Sequence, residues 1–139
     1  MEPREAAAID GREVRGAQAV IAVLILGGFV FRIPVLVPLA GILSAIGAFI
    51  GPHANPMHAI YRAAMAPHLD DARVWESPSA VRALDLLGAA LCAVASVAFL
   101  LDIGIIGWLV ALVEAAVAAV AASTGINAAV MLRDRLRRT

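Results

Sequence analysis

The sequence has little of what soluble proteins use to react or to bind nucleic acid. It has one cysteine, no lysine and only 5% aromatic residues. Charged residues make up 16% of its 139 residues, against about a quarter in ordinary globular chains. A single cysteine excludes an intramolecular disulfide. Because 11 basic residues balance 11 acidic ones, no basic surplus is left for a phosphate backbone, and nucleic acid is not an expected partner.

Apolar residues are what the chain has in excess. They make up 62% of the sequence, and the mean hydropathy is +0.88. They fall into four long runs, at residues 14–31, 33–50, 81–101 and 103–130. At 1.5 Å per residue the two shorter runs reach about 27 Å, against roughly 30 Å for a hydrocarbon core. The runs predict an all-α integral membrane protein, with one membrane domain over residues 1–139 and the lipid bilayer as its surroundings.

The positions of the arginines predict the orientation of this domain. They precede the first run, lie in or beside the loop at 51–80, or follow the fourth run, and only Arg32 lies on the opposite side. The positive-inside rule therefore places both termini and this loop in the cytoplasm, at the inner (plasma) membrane. Because the connections at Arg32 and Asp102 are very short, we expect two antiparallel helix hairpins packed as a four-helix bundle.

The loop at 51–80 is predicted to contain a short amphipathic helix. Asn55 followed by Pro56 is typical of a helix start. An apolar stripe follows at helical spacing, formed by Met57, Ile60, Tyr61, Ala64, Met65 and Leu69. We expect this helix to end at Pro67 and to lie in the cytoplasmic headgroup layer.

The three histidines all fall in the same loop. Their spacing matches no ordinary zinc pattern, and a loop position excludes ligation of a haem within the bilayer. With Asp70 and Asp71 they could form a loose metal site, but we expect a solvated loop and predict neither a metal nor a cofactor. Cys92, inside the third run, is interpreted as a small packing residue.

Glu114 is the most unusual residue of the sequence. It lies near the middle of the fourth run, where an ionisable side chain is costly and often functional. It belongs to a stripe of small residues at helical spacing, with Gly107, Ala111, Ala118, Ala122 and Gly125. Ser44 and Cys92 fall at about the same depth and could donate to its carboxyl group. Two interpretations stay open: a proton- or ion-binding site, or a protonated acid that fixes helix packing.

Two further patterns favour helix contacts. Gly47 and Gly51 form a Gly-xxx-Gly pair, and Ala89 with Ala93 forms a weaker one. They predict packing within the chain, with a protein partner or in a homo-oligomer.

Several short motifs resemble one known family. They comprise the residues Asp10, Arg12 and Arg15 before the first run, the loop residues Gly51, Pro52, Pro56, Tyr61, Arg62 and Pro67, and Asn127 with Ala128 near the end. Together they resemble an uncharacterised bacterial family of four-helix membrane proteins, common in actinobacteria and catalogued as domain of unknown function four-three-nine-five. The likeness covers nearly the whole chain.

This resemblance implies an association with thioredoxin-like or rhodanese-like proteins. Family members often end in a Cys-Leu-Gly-Cys element. This sequence departs from the family at that point, because it has Met131, Leu132, Arg133 and Leu136 where the cysteines would fall.

Three functional classes remain open. The first is a non-enzymatic accessory or anchor subunit for a partner protein, which the family resemblance would make redox-related. The second is a small carrier or channel subunit built around Glu114. The third, a degenerate thiol oxidoreductase, is disfavoured because it needs a cysteine pair. The first class ranks highest because the sequence has no nucleophile with a base and no extended soluble domain.

Overall fold

The computed structural model describes residues 9–51, 56–64, 75–76 and 78–124. In these residues it has five helices and one pair of two-residue strands: β1 (Ile9–Asp10), α1 (Gly11–Phe31), α2 (Leu36–Phe49), α3 (Pro56–Ala64), β2 (Trp75–Glu76), α4 (Pro78–Leu100) and α5 (Gly104–Thr124). Helices α1, α4 and α5 are long and apolar enough to span a membrane. The prediction of a helical chain with membrane-spanning segments is confirmed at this level.

The helix ends differ from those expected from hydropathy. Helix α1 begins at Gly11 rather than at 14, and α4 begins at Pro78 rather than at 81. The first turn of each helix contains polar residues, so it lies outside the apolar run that predicted the helix. Helix α2 is shorter than the predicted run at 33–50, with 14 residues and a length of about 21 Å. The predicted continuation of the last helix to 130 lies outside the described residues.

Two tight turns join the long helices where the sequence places them. Arg32 and Asp102 both have positive φ angles, 57° and 61°. After each of them the next backbone N–H donates to a carbonyl five residues earlier, from Ile33 to the Gly28 oxygen at 2.7 Å and from Ile103 to the Ala98 oxygen at 2.8 Å. This is the Schellman arrangement, which satisfies carbonyls left free at a helix end and reverses the chain.

Packing between the helices is not centred on the two predicted hairpins. Helix α2 makes its main contact with α4, and α1 makes its main contact with α5, while α4 and α5 also pack together. Contact between α1 and its hairpin partner α2 is smaller. Small residues explain the preference of α2, because Gly41 lies directly against Cys92 of α4: a Cβ at Gly41 would be 2.8 Å from the Cys92 Cβ.

The core between these helices consists mainly of small side chains. It contains residues of α1, α2, α4 and α5, namely Ile21, Ala22, Ile25, Val37, Ala40, Cys92, Ala95, Ala111, Ala115 and Ala118. Alanines let helix backbones approach closely, which is the usual way helices associate in lipid. The large apolar side chains instead point outward, for example Phe31, Phe49 and Leu100. An exposed apolar surface of this extent is what a lipid environment would cover.

The starts of α1 and α4 and the ends of α2 and α5 lie at the same end of the helices. Arg15 of α1 donates to the carbonyl oxygens of Ala122 and Ser123 in the last turn of α5, at 2.8 and 2.6 Å. Arg82 of α4 donates to the carbonyl of Ile50, just after α2, at 3.4 Å. Each arginine therefore meets the negative end of an antiparallel helix. The strands β1 and β2 pair antiparallel beside them, which ties residues 9–10 to the loop.

Candidate functional site

Glu114 lies buried where α5 crosses α4. Its side chain is 2% exposed, and Gly107, Ala111 and Ala118 of the predicted small-residue stripe are buried with it. Opposite lies Gly88 of α4: a Cβ there would be 2.6 Å from the Glu114 Oε1 atom and 3.1 Å from the Ser44 Oγ atom. Because Gly88 has no side chain, the carboxyl group and the Ser44 hydroxyl meet over its backbone. The structure thus brings Glu114 and Ser44 together.

Cys92, the third predicted member of this cluster, lies one turn beyond Gly88 on the same face of α4. Its thiol is free and fully buried. It packs against Gly41 and lies within electrostatic range of Glu114. Its position in the core agrees with its interpretation as a packing residue.

Asp85 is a second buried acid, which the sequence interpretation missed. It lies one turn before Gly88 on α4 and is 3% exposed. Its Oδ1 atom accepts a hydrogen bond from Gln18 Nε2 of α1 at 3.4 Å. The charges of Asp85 and Glu114 are close enough to repel each other. Asp85 is therefore a second buried acid near Glu114, and the spacing of Asp85, Gly88 and Cys92 on one helical face was visible in the sequence.

His58 is buried as well, which corrects the expectation of a solvated loop. It is 0% exposed, although Ala59 and Ile60 beside it on α3 are exposed. Its Nδ1 atom lies 2.7 Å from Oε1 of Glu13, in the first turn of α1. His58 also interacts electrostatically with Asp85. Helix α3 thus directs the His58 side chain into the protein, where the buried Glu13 carboxyl is its partner.

These residues form a buried polar chain, which we define as His58 with Glu13, Asp85 with Gln18, and Glu114 with Ser44. It begins at the loop helix and ends about halfway along α5. Three of its atoms have no hydrogen-bond partner in the described part of the chain: His58 Nε2, Asp85 Oδ2 and Glu114 Oε2. Buried polar atoms without partners are rare in proteins, because each costs about 1–3 kcal/mol, and they often mark a functional site.

Neither Asp85 nor Glu114 has an arginine partner among the described residues. The nearby arginines are used elsewhere, since Arg15 and Arg82 donate to main-chain carbonyls at helix ends. Two buried carboxylates without a cation are strongly disfavoured, so this pair of acids is expected to hold a proton. Groups of three or more His, Cys, Asp or Glu residues suited to a metal ion are not found in the part of the chain that the structure describes.

Most of the other residues of the family motifs fall in the loop at 51–80, and Asn127 lies near the end of the sequence. Gly51 has a φ angle of 138°, which favours glycine, and a Cβ there would be 3.2 Å from the Arg82 guanidinium. Pro56 begins α3, as predicted, and Tyr61 and Arg62 belong to that helix. Pro52, Pro67 and Asn127 lie outside the described residues.

Comparison with known proteins identifies the family. Neither curated proteins nor solved structures include a match to the chain. The family model "Domain of unknown function (DUF4395)" matches residues 9–138, nearly the whole sequence. The chain therefore belongs to the DUF4395 family, as the loop and helix motifs indicate.

Proposed function

We propose that the chain crosses the inner membrane four times, with residues 9–10, the loop and the end of α5 on the cytoplasmic side. Hydrogen bonds from Arg15 and Arg82 and the strand pair support the placement of these segments at one end. The sequence positions of ten of the eleven arginines, before the first run, in or beside the loop and after the fourth run, support the cytoplasmic assignment. Helix α2, together with the turn residues 33–35 that precede it, forms the second of these four crossings.

This topology predicts the results of reporter fusions. A reporter fused after Thr139 and a second one inserted near Asp71 should both give a cytoplasmic signal. Two crossings separate these positions, so they lie on the same side of the membrane. A reporter inserted at Asp102 is the matched control and should give the opposite signal. A periplasmic signal at Asp71 or after Thr139 would exclude the four-crossing arrangement.

We further propose that the protein is a small proton carrier or channel subunit. The observation that supports this function is the pair of buried carboxyl groups, Asp85 and Glu114, within mutual electrostatic range and without an arginine partner in the described residues. In hydrocarbon, ionisable residues mark proton relays and ion pathways. Two adjacent acids cannot both be ionised at low cost, so one proton can be held between them and passed on.

The accessory or anchor role remains a second candidate, and one observation favours it. An apolar groove of about 430 Å³ opens between α2 and α4, lined by small residues that include Gly41, Ala45, Ala89 and Ala93. Small residues at an outer helix face suit contact with a partner helix or with a second copy.

Purified protein in liposomes tests the proton function directly. With a pH-sensitive dye inside and a potassium diffusion potential across the bilayer, wild-type vesicles should take up protons faster than vesicles without protein. Dicyclohexylcarbodiimide reacts with protonated carboxyl groups in apolar surroundings, so it should modify Glu114 or Asp85 and stop the uptake. Mass spectrometry identifies the modified residue. Uptake equal to that of empty vesicles, together with unmodified carboxyls, would refute the proposal and leave the accessory role.

A further inference from the structure

His58 occupies a position that packing alone does not explain. On α3, residues Pro56, Ala59, Ile60 and Ala63 are exposed, whereas His58 is completely buried. It therefore brings a polar ring from the loop into the protein, at the end where the arginines lie. Burying an imidazole costs free energy unless its nitrogen atoms are bonded, and only one of them has a partner in the described residues.

The contact with Glu13 determines how the ring can act. An ionised carboxylate only accepts hydrogen bonds, so Glu13 Oε1, at 2.7 Å, requires the Nδ1–H group of His58 as the donor. In the neutral ring the other nitrogen, Nε2, is then the proton acceptor. That atom is the one without a partner. Glu13 thus orients the ring and leaves Nε2 as the nitrogen that can accept a proton.

Asp85 is the acid next along the polar chain. Gln18 donates to its Oδ1 atom and leaves Oδ2 without a partner in the described residues. Asp85 lies within electrostatic range of His58. A base with a free nitrogen and an acid with a free oxygen are the two groups that a proton transfer needs.

We propose that His58 is the residue that passes protons between the cytoplasm and Asp85, with Glu13 as its positioning residue. This inference rests on the proposed proton function. When a proton moves from the cytoplasm towards Asp85, the N–H bond at Nε2 of the imidazolium breaks and an O–H bond forms at Oδ2 of Asp85. The ring returns to its neutral form and the carboxylate becomes a neutral acid. Asp85 then supplies the proton that Glu114 holds deeper in the membrane.

The test is chemical rescue of a His58→Ala variant in the proton-uptake assay. Removing the ring should slow uptake about tenfold or more, since a positioned acid–base group contributes at least that much. Added imidazole should restore uptake, because it can occupy the vacated space and exchange protons there. Ile60→Ala is the matched control on the exposed face of α3 and should behave as wild type with and without imidazole.

Nitrogen-15 resonances of His58 provide a second measurement that does not depend on transport. In wild type they should report a proton on Nδ1, and Glu13→Gln should abolish this preference and slow uptake while the thermal unfolding temperature in detergent is kept. A His58→Gln variant covers the case in which His58→Ala does not fold. If uptake is unchanged or faster in His58→Ala and Glu114→Gln still blocks it, the role of His58 is overturned but the proton function is not. Absence of wild-type uptake would overturn the proton function and the relay with it.

Discussion

Replacing Glu114 by glutamine is expected to abolish proton uptake by the reconstituted protein while leaving its fold intact. Glutamine has the same shape, so it fits the space over Gly88 and beside Ser44. Its amide still forms hydrogen bonds but cannot release or bind a proton near neutral pH. Loss of uptake with an unchanged unfolding temperature would therefore assign the proton to this carboxyl group.

The two interpretations of Glu114 differ in the outcome of this substitution. If the residue only fixes helix packing, Glu114→Gln should keep both stability and uptake. Glu114→Leu should be less stable by about 1 kcal/mol under either interpretation, because leucine places a branched apolar side chain beside the buried Ser44 hydroxyl and cannot hydrogen-bond to it. The matched control is Asp102→Asn, which removes an exposed acid at the turn between α4 and α5. It should conduct as wild type does, and full uptake in Glu114→Gln would refute the proton-site assignment.

The long helices could be predicted from sequence because their signal is local. Four apolar runs and two short connections are enough to place α1, α2, α4 and α5 in order. The burial of Glu114 beside Ser44 also followed, because both positions are fixed by counting residues from the same end of the helices. These arguments need only the rise of a helix and the thickness of a bilayer.

Asp85 shows where such counting fails. One acid in a long apolar run hardly lowers the mean hydropathy of the run, so hydropathy does not reveal Asp85. Its partner Gln18 is 67 positions away in sequence, and their contact depends on how α1 and α4 approach each other. That approach is determined by packing of small residues along several helices, which a single sequence does not specify.

His58 shows a different limit. The apolar pattern of α3 predicts which side of the helix avoids water, but it does not predict what the other side contacts. In the structure His58 is buried against Glu13 of α1, a contact between residues 45 positions apart in the sequence. The short pairing of Ile9–Asp10 with Trp75–Glu76 was also absent from the prediction, since two-residue strands have no periodicity to detect.

Adding a single methyl group at Gly88 is expected to disable the site as well. In Gly88→Ala the new Cβ would lie 2.6 Å from Oε1 of Glu114, closer than real contacts allow. The carboxyl group ends a flexible side chain, but it is enclosed by α4 and α5, so it must move within a packed interior. We expect a loss of stability of about 1–3 kcal/mol, typical of overpacked cores, and the loss of proton uptake.

Two variants separate this steric effect from a general effect of alanine in a helix. At Gly27 of α1 nothing lies within 4 Å of a built Cβ, so Gly27→Ala should keep uptake and gain up to about 1 kcal/mol from helix propensity. In the double variant Gly88→Ala with Glu114→Ala, the shortened side chain leaves room for the methyl group. Thermal unfolding should then show that stability is partly recovered, whereas uptake stays absent because the carboxyl group is gone. If Gly88→Ala is instead as stable and as active as Gly27→Ala, close contact between Glu114 and the α4 backbone is not needed for the site to work.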